Sequence, residues 1–182
     1  MIDEITGAFP MLRDHCREDD FKAIFYISDP GGGLPCTIVE DTDNDFFAEG
    51  CVTVLNPREH TVHLIAIDQC LTRDMAIKSC DCILVGYQSL VFLELKLNIT
   101  TTRLKNADDT REGGLFQIAQ TFNLFEPVLS KISKKYPDVI IVAQIATPPV
   151  SPKSNATYNL IRSAFGEKYG YDYIDSHEVL IS

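Results

Sequence analysis

The stretch Cys80-Asp-Cys-Ile-Leu-Val-Gly-Tyr-Gln-Ser-Leu-Val-Phe-Leu-Glu-Leu-Lys-Leu97 decides how the chain is read. Two apolar runs rich in β-formers flank Gly86-Tyr-Gln-Ser89, the pattern of a hairpin. With the turn there, Val85 faces Leu90, Leu84 faces Val91, Ile83 faces Phe92, Cys82 faces Leu93 and Asp81 faces Glu94. Directly opposed residues share a face of the sheet at about 5 Å. Lys96, two residues past Glu94, points the same way. This register gathers two carboxylates and an ammonium at one end of the hairpin, whereas a slip of one residue sends Asp81 to the other face. Opposed carboxylates repel by up to about 1 kcal/mol when exposed and by more when desolvated, so something should compensate them.

A divalent cation does so directly. Magnesium takes one or two carboxylates and fills its remaining positions with waters and phosphate oxygens; the Leu95 carbonyl is a further candidate ligand. Such an ion polarises a phosphoryl oxygen and acidifies a bound water. Lys96 is placed to orient that water or to meet developing negative charge. Those are the parts needed to hydrolyse a phosphodiester. The competing reading makes Asp81 the end of an edge strand. Glu94 and Lys96 are then ordinary outward residues of a half-exposed strand whose buried parity is Val91, Leu93, Leu95 and Leu97. Phe92 shares the charged face, so that face is expected to be partly covered.

Downstream, residues 98–114 read as a polar loop in which Arg103, Lys105 and Arg111, candidate phosphate contacts, stand against Asp108, Asp109 and Glu112. Leu115, Ile118, Phe122, Phe125, Leu129 and Ile132 then recur at helical spacing. Pro127 should kink that helix or end it, and Lys131, Lys134 and Lys135 suit its C-terminal dipole. Residues 138–146 are apolar on both parities, as in a strand buried on both faces. Residues 154–165 read as a last helix capped by Ser154 or Asn155, and residues 169–175 as a closing strand.

Upstream, residues 8–19 read as a short helix with Pro10 in its first turn. Residues 21–68 read as an antiparallel β-meander that extends the hairpin's sheet. Within it, Asp29-Pro-Gly-Gly-Gly-Leu-Pro35 lacks the Lys-Ser or Lys-Thr of a phosphate loop and is read as a plain connection. Asp41-Thr-Asp-Asn-Asp45 starts like a calcium loop but has Phe46 and Val52 where Gly and Glu are required; a polar turn is the reading.

The 182 residues, 45% apolar and 23% charged, suit one soluble globular domain. No apolar run reaches the roughly 18 residues of a membrane span, and the N-terminus lacks the basic start and apolar core of an export signal. A cytoplasmic protein without membrane contact is expected. Its six cysteines are scattered with no Cys-x-x-Cys pair, so they are expected to be reduced and mostly buried. A zinc site drawing on His60, His63, Cys80 and Cys82 is the lesser alternative. The net charge of −10 is uneven: residues 1–50 hold 12 acids against Arg13, Arg17 and Lys22. That balance argues against broad charge-driven binding of nucleic acid and leaves it to a local patch or a partner.

The pattern Asp81-x12-Glu94-Leu95-Lys96, on strand, turn and strand with a helix and a buried strand after it, resembles the D…(E/D)xK signature of the PD-(D/E)xK nuclease superfamily. The resemblance implies an α/β protein of restriction-endonuclease-like fold, a mixed sheet flanked by helices. Residues 1–182 would form a single domain, with 1–79 an acidic N-terminal antiparallel β extension and 80–182 the nuclease-like core. It implies a Mg2+- or Mn2+-dependent nuclease acting on nucleic acid, DNA rather than RNA. Asp81 and Glu94, with the Leu95 carbonyl, would be the metal ligands, and Lys96 the catalytic lysine. Gln117 stands where many members carry a helix glutamine. Three features depart from the pattern: Thr121 replaces a tyrosine found in exonuclease-like members, Cys80 precedes Asp81 in place of a proline, and the further acid often given by a first helix must be sought among Glu4, Glu18 and Glu49. The alternative is a catalytically degenerate binding module on the same fold, docking a protein partner through its acidic N-terminal part or a second copy of itself.

Overall fold

Apolar residues on both parities of the central strands demand cover on both faces, and the protein supplies it in three layers. The structure, a computed structural model, describes residues 1–13, 16–39, 50–73, 75–97, 104–148 and 155–182. Its six-stranded mixed sheet runs β1 (Arg17–Asp20), β5 (Val62–Ala66), β6 (Cys82–Val85), β7 (Ser89–Leu95), β8 (Ile140–Ala146), β9 (Asp172–Asp175). A four-stranded mixed sheet runs β10 (Glu178–Leu180), β4 (Cys51–Leu55), β2 (Ile24–Ser28), β3 (Thr37–Val39). Helices α1 (Ile2–Ala8), α2 (Leu104–Lys135) and α3 (Ala156–Tyr169), with short helical turns at Pro10–Arg13 and Ile67–Leu71, complete the described elements.

The hairpin has the register read from its turn: Cys82 opposes Leu93, Ile83 opposes Phe92, Leu84 opposes Val91 and Val85 opposes Leu90. Gly86 opens the turn because nothing larger fits, a Cβ there lying 2.4 Å from Ile181 Cγ2. One face of the hairpin, Ile83, Val85, Leu90 and Phe92, packs with Ile118, Phe122, Phe125 and Phe165 of the helices. The Phe92 ring meets Phe122 edge-on at 4.4 Å between centroids. The other face, Leu84, Val91, Leu93 and Leu95, packs with Phe25, Ile27, Val52 and Val54 of the second sheet. Strand β7 is therefore buried along its whole length, and the half-exposed strand of the competing reading does not apply. β8, parallel to β7, is buried at every position after Ile140.

Four expectations are corrected. Residues 21–68 do not extend one sheet: β5 joins β6, while β2, β3 and β4 form the second sheet behind it. β2 and β4 bury alternate residues, which suits strands laid on an apolar sheet with their far face open. Residues 8–19 hold no helix of that span. α1 ends at Ala8, a short turn spans Pro10–Arg13, and Arg17-Glu-Asp-Asp20 forms β1 against β5. Its charges are those of an edge strand. The described part of residues 98–114 is helical from Leu104, where Asp108 and Arg111 pair at one turn's spacing. α2 then runs through Pro127 to Lys135. Pro127 and Asn123, whose carbonyl loses its partner, both lie on the exposed side. Finally, Cys16 and Cys70 are joined in a disulfide across β1 and the turn after β5, at 5.7 Å between Cα atoms. Cys36, Cys51, Cys80 and Cys82 are free, and all but the half-buried Cys51 are buried. Asp41 to Asp45 lie outside the described residues.

The last helix follows its cap signal but runs on to Tyr169, so the strand expected over residues 169–175 is β9 alone, Asp172–Asp175, and β10, unread in the sequence, closes the chain beside β4. Asn155 caps α3, its side chain accepting from the Tyr158 N–H at 2.9 Å. Gly170 ends the helix in the left-handed region, φ 70°. Ser154, the other candidate cap, lies outside the described residues.

Candidate active site

Asp81 immediately precedes β6, Glu94 is the penultimate residue of β7, and Lys96 follows that strand. The hairpin register thus brings them to one end of the sheet, where the backbone of the neighbouring turn also arrives: Ile67 N–H donates to Asp81 O (2.9 Å) and Asp68 N–H to Cys80 O (3.2 Å). The Asp81 carboxylate is held by Leu95 N–H, which donates to Oδ2 at 2.5 Å. Glu94 lies on the helix-facing side with Phe92 and is wholly buried, 0% exposed. Lys96 Nζ donates to Glu94 Oε1 and, at 3.2 Å, to Gln117 Oε1.

α2 sets that lysine. Gln117 Nε2 donates to Ser79 O at 2.9 Å, which fixes the amide with its oxygen toward Lys96. One turn on, Thr121 Oγ1 accepts from Cys80 N–H and donates to Gln117 O, both at 2.9 Å. The threonine at the tyrosine position therefore ties the helix to the strand just before Asp81. One turn earlier, Gly114 lies against the pair itself: a Cβ there would stand 3.1 Å from Glu94 Cγ and 3.5 Å from Lys96 Cε.

The electrostatics follow from burial. Burial pushes the Asp81 carboxyl up to about 7, against the Leu95 N–H bond and the Lys96 charge. Glu94 is held well above the carboxylate range, by burial first and then by the Asp81 charge, with Lys96 opposing. Glu94 Oε2 is buried and accepts no hydrogen bond. Two desolvated acids thus share one lysine. A buried acceptor left unpaired is costly, and a hard divalent ion would satisfy both the charge and the lone pair. Among the described residues no group of three or more His, Cys, Asp or Glu side chains is arranged to hold a metal ion. An oxygen set of the Asp81 and Glu94 carboxylates with the Leu95 carbonyl, the ligands expected from the sequence, would suit magnesium or manganese carrying its own waters. It does not suit zinc, which wants nitrogen or sulfur donors. The residues of the zinc alternative are spent elsewhere: His60 stacks on Tyr87 at 4.8 Å, His63 bonds Asp19 at 2.7 Å, and Cys80 Sγ donates to Cys82 O at 3.5 Å.

The sought third acid is not among the described candidates. Glu4 pairs with Lys135 and with the N-terminal amine at 3.3 Å. Glu18 accepts from Thr37 Oγ1 (2.6 Å) and Ile38 N–H (2.8 Å) at the start of β3. Glu49 lies outside the described residues. The acids beside Asp81 are instead Asp29 and Asp68, which line with it a cleft of about 150 Å3 together with Gly31, Gly33, Leu34, Cys36 and Gln69. Asp68 carried a signal, since it follows a strand antiparallel to the one that Asp81 opens. Arg111 is not available to a phosphate: it is 2% exposed and pairs with Asp108 at 3.1 Å and Asp175 at 2.8 Å. Arg103 and the Lys105 side chain lie outside the described residues. No family model matches the chain, and no curated protein or solved structure matches it. Among the described residues no helix is long and apolar enough to cross a membrane.

Proposed function

We propose that the chain is a divalent-metal-dependent nuclease of the PD-(D/E)xK superfamily, with a restriction-endonuclease-like core, acting on DNA. The observation that carries this reading is the buried Glu94, paired with Lys96 and left with one unpartnered carboxylate oxygen, with the half-buried Asp81 near enough for its charge to raise the Glu94 pKa. The order of elements supports it: an antiparallel β5–β6–β7 unit, then α2 and the parallel strand β8, with the aspartate opening β6 and the Glu-x-Lys closing β7.

Asp81, Glu94 and the Leu95 carbonyl would hold Mg2+ or Mn2+. When bound, the ion polarises the phosphoryl group and supplies hydroxide at neutral pH. The chain's own groups do the rest. The low dielectric around the two acids strengthens every charge interaction at the phosphate. Lys96 Nζ, held beside Glu94 and Gln117, would donate toward the attacking water or the negative charge that builds on the phosphoryl oxygens. Gln117 keeps the ammonium on that side, because its own amide is pinned by Ser79 O.

The test is cleavage of single- and double-stranded DNA and RNA with Mg2+ or Mn2+. Lys96→Ala and Glu94→Gln should each lower the rate by about 100-fold or more. Cleavage that survives both substitutions sinks the reading. A chain that binds Mn2+ and cuts nothing would instead be the degenerate binding module.

A further inference from the structure

The connection between β5 and β6 ends in a tip that the chemistry at Asp81 does not use. It leaves the sheet at Ile67 and Asp68 and returns at Cys80 and Asp81, so it stands at the end of the sheet that carries Asp81, Glu94 and Lys96. Its root is pinned. Thr72 and Ser79 are buried, and their hydroxyls are hydrogen-bonded at 2.6 Å. Ser79 O accepts from Gln117 Nε2, and Gln117 Oε1 accepts from Lys96 Nζ. Beyond the root, Arg73, Met75, Ala76, Ile77 and Lys78 are all exposed, while Asp74 lies outside the described residues. The tip thus has a cation at each foot and two large apolar side chains between them, Met75 39% and Ile77 37% exposed. Among the described residues neither Arg73 nor Lys78 pairs with an acid, in a chain whose net charge is −10.

We propose that the β5–β6 tip is a finger that grips DNA beside the Asp81–Glu94 site, with Arg73 and Lys78 on phosphates and Met75 and Ile77 against the bases between them. Cations without an acid partner are free to neutralise phosphates and release their counterions. An acidic polypeptide would satisfy the two cations but offers no flat faces to Met75 and Ile77. A nucleic acid presents charge and flat faces in alternation, and proteins that bend or open it press Ile and Met side chains against base steps while neighbouring cations hold the backbone. The bonds from Ser79 to Gln117 and from Gln117 to Lys96 fix the finger's root beside the lysine, so a strand gripped there is delivered to the site. The choice of DNA as the polyanion rests on the nuclease reading; the grip itself is read by binding, without cleavage.

Each variant is made in the full-length Lys96→Ala chain, so that cutting is suppressed, and its affinity for a short labelled DNA is read by fluorescence anisotropy in Mg2+. One phosphate contact accounts for about a 3.5-fold loss of affinity between roughly 50 and 200 mM salt. Arg73→Ala and Lys78→Ala should each weaken binding by about three- to tenfold and each remove about one contact from the salt dependence. Together they should leave it nearly flat, and Lys78→Arg should keep it. Met75→Ser with Ile77→Ser should weaken binding by about threefold or more with the salt dependence unchanged. Lys131→Ala with Lys134→Ala, exposed at the far end of α2, should change nothing. Calorimetry should show the parent's Mn2+ affinity in every finger variant. Unchanged DNA binding in the Arg73→Ala, Lys78→Ala chain overturns the finger, as does an equal loss from the Lys131 and Lys134 pair, a loss of Mn2+ binding, or a parent that binds no DNA. A wild-type chain that binds DNA through Arg73 and Lys78 and cuts nothing overturns the nuclease reading and leaves the finger standing. A wild-type chain that cuts DNA, and cuts it as well without the two cations, does the reverse.

Discussion

At the scale of single residues, Asp81 and Glu94 are a stability cost that a ligand can remove. Between the ordinary carboxylate pKa of about 4 and the Asp81 value of about 7, the folded chain holds a proton that the unfolded chain releases. Metal-free stability therefore falls as pH rises through that window and is lowest above it. Glu94, raised by burial and by Asp81, pushes in the same direction. Asp81→Asn removes the charge and keeps an acceptor for Leu95 N–H. In chelator at pH 8 it should be more stable than wild type by about 1–3 kcal/mol, a gap that narrows by pH 5; urea melts at the two pH values check it. Mn2+ should close most or all of that gap. At a free concentration a hundredfold above its Kd it stabilises the wild type by about 2.7 kcal/mol, and it should leave the melting temperature of Asp81→Asn nearly unchanged. Equal Mn2+ shifts for the two chains would remove Asp81 from the ligand set.

At the scale of elements, α2 is a clamp whose inner face is Gly114, Gln117 and Thr121, one turn apart. Gly113 and Gly114 make a matched pair. Alanine is better than glycine in a helix by roughly 1 kcal/mol, and a Cβ on Gly113 meets nothing within 4 Å, so Gly113→Ala should stabilise by about 0.5–1 kcal/mol. The same change at Gly114 puts a Cβ 3.1 Å from both Glu94 Cγ and Ile145 Cδ1. The helix gain is offset there by displacement of Glu94 and Lys96. Gly114→Ala should weaken Mn2+ binding by about tenfold or more, with circular dichroism unchanged; unaltered binding would mean the clamp has slack. The part of this clamp read from sequence was the apolar stripe Leu115, Ile118, Phe122, which is a periodicity. Its start at Leu104 was not legible, because Asp108 and Arg111, which read as loop charges, are buried and satisfied inside the fold, Arg111 by Asp108 and Asp175. The hairpin register was legible because a two-stranded turn leaves few choices. The departure of β2, β3 and β4 into a second sheet was not, since alternation shows that one face is buried and never against what.

At the scale of the whole molecule, a net charge of −10 must be reconciled with a polyanionic substrate. The described cations do little to help, for many are held by acids: Arg17 by Asp19 at 2.8 Å, Lys22 by Asp20 at 3.8 Å, Arg111 by Asp108 and Asp175, Lys135 by Glu4, and Lys96 by Glu94. Each phosphate neutralised by a side chain releases counterions, and the salt dependence of binding counts such contacts. A chain that recruits its substrate through one bound ion and a few lysines should therefore show a shallow dependence. With the Lys96→Ala chain and Mg2+, so that nothing is cut, affinity for a short labelled DNA should fall only about tenfold between roughly 50 and 200 mM salt, against the 10³- to 10⁵-fold of proteins with many phosphate contacts. Fluorescence anisotropy measures it. Chelation should abolish what binding there is, because without the ion the two acids at the site repel a phosphate. A steep slope that persists in chelator would mean that a basic surface, and not the Asp81–Glu94 site, brings the nucleic acid to this protein.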